Sequence, residues 1–555
     1  MSINRRAALG LLGFGAAATR AQAAATTYAE AVSFRHGVGS GDPLADRIIL
    51  WTRITPTTDT TTPIAYVWRI SPVGAGKSLS GKGTTDASRD YTVKVDVAGL
   101  RPSQDYTFEF TANGVNSPKG RTKTLASGSV KEVVLAVATC SLHPAGYFNA
   151  YGAIAALERV DAVLHLGDYI YEYGGPGSYG MDSAVAAERA HQPAHELLTL
   201  ADYRTRHAQY KSDPQLQAAH ARAPWIVVWD DHETANDSCT GGAENHQSNE
   251  GDWNARKALA IKAYYEWMPI REPVGGGFAI NRAFHFGDVA SLMMIETRLT
   301  ARDKQLTYDR DLPGADGKPD AAAFRVKLAD PNRRMMGPAQ EAWLAKELAS
   351  SVKAGRPWQI LGNEVIMARV TVPSFKTQMG EEALSAALAK LPPEATKRIA
   401  RLEGIAALSL PYGLDMWDGY PVARQRLYGL IKAAKANAVV LAGDSHAFWA
   451  NELYDAPDGG NRVAVEFGST GVTSPGAGDA LPGIPVGDVY AKANREVIYS
   501  DQAAKGFVRL TLTRSEVRAD MMAVSTITER SYTTAVLRSF RATHGSDGVS
   551  ALTEV

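Results

Sequence analysis

The sequence predicts a layered α/β domain preceded by a small β-sandwich. Two observations carry this. Residues 30–125 hold short alternating runs separated by turn residues, the texture of half-buried strands. From residue 131 the runs become continuously apolar and alternate with helical stretches, the texture of strands covered on both faces.

The N-terminal strands are "DRIILWTRI", "IAYVWRI", "DYTVKVDV" and "DYTFEFTANG". Residues 98–110, "AGLRPSQDYTFEF", follow a fibronectin type III-like pattern, which supports a sandwich that packs or positions. "LASGSV" at 125–130 reads as a linker. The α/β domain is expected over 131–525. Its buried strands are "EVVLAVATCS", "VDAVLHLGDYIYE", "APWIVVWDDHE", "VASLMMIETR", "PWQILGNEV" and "NAVVLAGDSHAFWANEL". "AYGAIAALERV" reads as a helix, "AHELLTLADYRTRHAQYKSDPQLQAAHA" as one long amphipathic stretch, and "GPAQEAWLAKELASSV" as a helix opening at Gly-Pro. Residues 526–555 carry no strong pattern. They are expected to lie as a helix over the surface, where they could cover the site, or to fray.

Composition bounds the function. Lys+Arg and Asp+Glu are 59 each, which argues against a basic nucleic-acid surface and an acidic tail. Residues 1–24 read as an export signal: a basic start, a short apolar stretch and the small-residue sequence Ala21-Gln22-Ala23. Arg5 and Arg6 in Asn-Arg-Arg-x-x-Leu suggest the twin-arginine variety, with its export machinery as a partner of the precursor. An ordinary secretory signal with two arginines is the alternative. No other stretch reaches the ~18 apolar residues of a spanning helix, so a periplasmic or extracellular protein is expected.

Four predicted strands finish on ligand-type residues: Cys140; Asp168 with Tyr171; Asp230-Asp231-His232-Glu233; and Asp444 with His446. In open α/β sheets, ligands gather beyond the carboxyl ends of the strands. One such aspartate could simply cap a helix. Four in succession predict a shared metal site. Thiolate and phenolate favour a strongly Lewis-acidic metal such as Fe(III), while a carboxylate-rich corner suits Ca²⁺, Mg²⁺ or Mn²⁺. Tyrosine has an unperturbed pKa near ~10, so Tyr171 ligates at neutral pH only if a cation displaces its proton. Tyr169 points the other way in an extended segment and reads as packing.

"FRHGVGSGDPLADRIILWTR", "GDYIYE", "WDDHETAND", "DMWDGYPVARQRL" and "LAGDSHAFWANEL" closely resemble the PhoD family of secreted alkaline phosphatases and phosphodiesterases. The resemblance spans nearly the whole chain after the signal. It implies a metallophosphoesterase-like αββα sandwich of two mixed sheets behind the N-terminal β-sandwich, and Fe(III) plus Ca²⁺ as cofactors. The related purple acid phosphatases also place a Gly-Asp-x-x-Tyr tyrosinate on iron. By this resemblance Cys140, Asp168 and Tyr171 hold iron, with His446 a further ligand. Asp168 bridges to calcium, and Asp231, Asn236 and Asp444 serve the calcium side or the phosphate. His232 protonates the leaving group. Which of Asp444 and His446 faces iron, and which of Asp230 and Asp231 is the closer ligand, stays open. Glu296 stands where the family pattern leads one to expect aspartate.

Rival readings accompany these assignments. Cys140 could pair with Cys239 in a disulfide, Asn236 could cap a helix, and Arg298 could clamp phosphate or form a structural ion pair. "NHQS" at 245–248 and His285 show no partner pattern. The expected reaction is hydrolysis of phosphate monoesters and diesters by a metal-bound hydroxide, between cations ~3.5–4 Å apart, used to scavenge phosphate. Small phosphate esters are the implied partners. A phospholipase D-like or teichoic-acid phosphodiesterase is the alternative within the family, and a non-catalytic surface binding protein the alternative outside enzymes.

Overall fold

The computed structural model describes residues 27–273, 275–545 and 548–555. The export signal expected at 1–24 lies outside the described residues. Two large mixed sheets form the body. The first has eleven strands, and three neighbours at its centre run parallel: Glu132–Ala138, Ala162–His165 and Trp225–Val227. The second has seven, with Ala290–Met294, Trp358–Gly362, Ala438–Ala442 and Arg462–Gly468 parallel to one another.

Alternation along each strand decides what each face meets. In the second sheet Ile360, Val439 and Leu441 pack into a core shared with Leu135, Leu164 and Ile226 of the first sheet. Their neighbours Leu361 and Val440 pack the other way, against Leu344 and Leu348 of helix Pro338–Lys353 and Leu427 and Ile431 of helix Pro421–Ala434. The first sheet is covered outside by Tyr151 and Ile154 of Asn149–Ala155 and Leu216 of Pro214–Arg222. Helix, sheet, sheet and helix thus form four layers, as the sequence led us to expect.

The N-terminal sandwich is present, but it is not a detached module. Val38–Gly41 joins the first sheet through the parallel pair Trp225–Gly41, and Arg47–Arg53 and Thr92–Ala98 continue that sheet outward. Ile48, Leu50, Val93 and Val97 face a separate sheet that carries Ile70, Phe108 and Phe110. On the opposite face Trp51 donates its indole N–H to Glu266 O (2.9 Å) in helix Trp253–Trp267.

Two local expectations are corrected. The long stretch around 195–221 is two helices, Leu200–Lys211 and Pro214–Arg222. Asp213 caps the second by accepting from Gln215 N and Leu216 N, and Pro214 removes the N–H that a continuous helix would need. The C-terminal segment is not a surface helix. Thr534–Gly545 pairs with Glu516–Val524 at the edge of the first sheet, and Thr553–Glu554 pairs back onto it. Ahead of that strand, Ile527 O accepts from Tyr147 N (2.6 Å), so the segment is tied to the flank of the sheet.

Candidate metal centre

The parallel strands of both sheets point their carboxyl ends at one place. Two residues after Ala138 stands Cys140, three after His165 stands Asp168, and two after Ala442 stands Asp444. Asp230 to Glu233 follow Trp225–Val227. Leaving a strand abruptly requires unusual backbone. Cys140, Asp168, Asp444 and His446 all have positive φ, between 56° and 60°, a region costly for residues with a Cβ. Such outliers gather where a site over-determines the chain.

Three ligand groups adjoin one another: Cys140, Asp168 and His446; Asp168, Asp231 and His232; Asp230, Asp231 and Asp444. Within each group the possible ligand atoms lie within 4.8 Å of one another, and Asp168 and Asp231 each belong to two groups. Cys140, Asp168, Asp230 and Asp231 are buried, and Asp444 and His446 are half-buried. The Tyr171 hydroxyl donates to Asp168 Oδ2 (2.9 Å) and lies 2.6 Å from Ser474 Oγ and 3.3 Å from His446 Nε2. Geometry therefore gathers His446 with Cys140, Asp168 and Tyr171, and Asp444 with Asp230 and Asp231. Asn236 stands at the rim. Its amide nitrogen donates to Glu244 Oε2 (3.1 Å), and Oδ1 accepts no hydrogen bond among the described residues. Cys140 and Cys239 are both free, so the disulfide alternative does not hold.

The centre has too little positive charge for its donors. Asp168 Oδ1, Asp230 Oδ2 and Asp231 Oδ1 are buried without a hydrogen-bond partner. Burial pushes the Asp168 and Asp230 carboxyls well above the usual range. Burial, then the nearby Asp168 charge, raises the Cys140 thiol and the Tyr171 phenol. Burial also lifts Asp444 to about 7. Buried, unpaired anionic oxygens are expensive, and a cation is the ordinary remedy. The donor set of carboxylates, thiol, phenol and imidazole fits metal ions.

The surrounding polar groups hold these donors in place. Glu233 accepts from Asp168 N (3.1 Å), Tyr169 N (2.5 Å) and Asp230 N (2.7 Å), clamping two strand ends together. Glu172, fully buried, accepts from Asn236 N (2.7 Å) and Asn245 Nδ2 (2.7 Å), and its Oε2 lies 2.7 Å from His232 Nδ1. Although burial opposes it, the charges of Asp231, Asp168 and Glu172 raise the His232 imidazolium well above its ordinary pKa. Arg298 is fully buried and pairs with Asp230, with Asp415 (2.8 Å) and with Asp444 (3.3 Å), so it is a structural ion pair at the floor of the site. Glu296 turns back to accept from Arg298 N (2.8 Å), Leu299 N (2.5 Å) and Thr300 N (3.0 Å). Its extra methylene lets it cap this turn instead of reaching the donors. Tyr169 is core, with its hydroxyl 2.9 Å from His220 Nε2. Asn245 supports Glu172, and His285 Nδ1 meets Ser291 Oγ at 3.0 Å, away from the site.

Sequence reasoning missed Glu172, Asp415 and Ser474. Glu172 carried a signal, an acid four residues after Asp168 in a run too apolar to leave it in water, and Asp415 opens the quoted motif "DMWDGYPVARQRL", which gave it no role.

Known proteins agree with this architecture. The model of the PhoD-like phosphatase family matches residues 135–521, and that of the PhoD-like phosphatase N-terminal domain matches 19–126. Alkaline phosphatase D of Bacillus subtilis (strain 168) is 35% identical over 511 residues, covering 89% of this chain and 78% of that protein. A solved structure of PhoD matches with a TM-score of 0.76 and 31% identity, over 94% of this chain and 92% of the other. The chain belongs to the PhoD-like phosphatase family and is a phosphatase, a hydrolase of phosphoric esters.

Proposed function

We propose that this protein is an exported phosphoesterase that hydrolyses phosphate monoesters and diesters to scavenge phosphate. The observation that carries the reading is the convergence of unpartnered buried carboxylate oxygens from Asp168, Asp230 and Asp231 where the two sheets meet. Cys140, Asp168, Tyr171 and His446 would hold Fe(III). Asp168, Asp231, Asp444 and the free Oδ1 of Asn236 would hold Ca²⁺, with Mn²⁺ or Mg²⁺ as substitutes. Bound cations supply Lewis acidity, which neutralises phosphate charge and acidifies water.

The chain's own groups do the rest. Glu172 fixes the His232 ring through Nδ1, which leaves Nε2 to give a proton to the departing oxygen. Arg298 holds Asp230 and Asp444 in register, so the donors need little rearrangement during turnover. Export by the twin-arginine route, which carries folded proteins, suits a metal centre completed before export. Among the described residues no helix is long and apolar enough to cross a membrane.

Metal analysis and visible absorption of the purified protein test the reading, alongside Tyr171→Phe. An iron–phenolate charge-transfer band that disappears in the variant is the expected result. Stoichiometric divalent metal without iron or a band would overturn the Fe(III) assignment and return Tyr171 to packing.

A further inference from the structure

Two aromatic rings stand at the mouth of the centre without belonging to any ligand group. Tyr173 is half-buried, and its ring centroid lies 5.3 Å from that of His232. Tyr179, also half-buried, meets Tyr173 edge-on at 5.8 Å and stacks on His446 at 6.3 Å. Both are fixed. The Tyr173 carbonyl accepts from Arg206 Nη2 (2.8 Å), a fully buried guanidinium that also donates to Gln192 O and Pro193 O. The Tyr179 hydroxyl donates to Pro475 O (2.7 Å). The adjacent Gly180 has φ +79°, and a Cβ there would lie 2.4 Å from Leu142 Cδ2, so the turn presses this loop against the floor. By contrast, the Tyr173 hydroxyl has no hydrogen-bond partner among the described residues.

A dianionic phosphoryl group gains little from two apolar ring faces. The part of an ester that does gain is its leaving group, and the ring that faces His232 is where that group must sit if His232 protonates it. We propose that Tyr173 determines specificity on the leaving-group side, its ring forming with Tyr179 a shelf that favours phosphate esters with flat aromatic leaving groups. The inference rests on the assignment of His232 above. Aromatic stacking gives it its size: Tyr171 backs Tyr173, the two rings stacked with centroids 6.4 Å apart, and the exposed part of the half-buried Tyr173 ring is what a flat leaving group would meet.

Phosphonates separate the shelf from the chemistry, because their carbon–phosphorus bond survives the enzyme. Calorimetry on the metal-loaded protein would compare phenylphosphonate with methylphosphonate for wild type, Tyr173→Leu and Tyr173→Phe. Wild type should prefer the phenyl compound. Tyr173→Leu, which keeps an apolar side chain but loses the plane, should cut that preference about three- to tenfold, and Tyr173→Phe should keep it. The shelf is overturned if wild type shows no preference, if Tyr173→Leu retains it, or if Tyr173→Phe loses it as fully as Tyr173→Leu. Parallel kinetics on phenyl phosphate and glycerol phosphate report on the phosphoesterase reading. A protein that binds the phenyl compound preferentially but hydrolyses neither ester would sink that reading while supporting the shelf.

Discussion

Lys211 offers the sharpest energetic test of the fold. Its side chain is buried between Trp51, whose ring centroid lies 4.5 Å from Nζ, and Tyr169 at 5.3 Å, and Nζ lies 2.9 Å from His220 Nε2. Among the described residues no carboxylate pairs with it, and burial drives its pKa well below the ordinary lysine value. Burial without a counter-ion therefore disfavours its charged form in the fold. In the unfolded chain the same group has a pKa near ~10.4, so at pH 7.5 the shift can cost at most about 4 kcal/mol, the cost of giving up the proton completely. Lys211→Met removes that cost and keeps the aliphatic stem. It loses one hydrogen bond, about 1 kcal/mol. The variant should be more stable, by up to about 3 kcal/mol, at pH 7.5. The unfolded chain binds the extra proton only below its own pKa, so this gain should shrink by about 1.4 kcal/mol per pH unit on the way to pH ~10.4. Guanidinium unfolding of both proteins at several pH values, followed by tryptophan fluorescence, measures it. A methionine variant that is less stable at pH 7.5, or a gain that ignores pH, would refute the reasoning.

Two further outcomes are expected. Glu172→Gln weakens a charge-assisted contact to His232, worth about 1.5–3 kcal/mol, so kcat on alkyl phosphates should fall about 10- to 100-fold. Nitrophenyl phosphate needs less proton donation and should fall less, and equal losses on both substrates would count against His232 as the acid. Burial above all holds His36, His143 and His207 near a pKa of about 3. They stay neutral in the fold but protonate below ~6.5 when unfolded, so each removes about 1.4 kcal/mol of stability per pH unit between those values as the pH falls. Thermal melts should decline steeply below pH 6, whereas a flat midpoint from pH 7 to 4 would contradict the neutral histidines.

The parts legible in the sequence are those that local pattern encodes. Asp168, Asp231 and Asp444 are visible because buried strands announce their own ends, and the site lies just beyond those ends. Distant pairings are not visible. Arg298 finds Asp230, Asp415 and Asp444 only after the two sheets have stacked, so "IETR" by itself cannot tell an ion pair from a phosphate clamp. The link between sandwich and catalytic sheet is one bridge, Trp225 to Gly41, which no local pattern announces. Thr534–Gly545 buries only Ser539, Phe540 and Ala542 of its twelve residues, too weak an alternation to mark an edge strand. At Asp213-Pro214 the stop signal is present, but an amphipathic pattern runs through it and masks the break.

The first sheet also sets a schedule. Glu132–Ala138, which delivers Cys140, lies between Ala162–His165 and Lys505–Thr513. One neighbour follows within a few dozen residues, while the other follows several hundred residues later. Until it arrives, the strand behind the thiol has an open edge, and Asp444 and His446 are themselves late. Contacts this distant in sequence form slowly and late. A growing chain therefore holds isolated carboxylates and a thiol but no complete donor set until Asp444 and His446 have been made. Completion of the sheet and assembly of the donor set are thereby linked, and a chain lacking Lys505–Thr513 would lose support for the centre along with the strand.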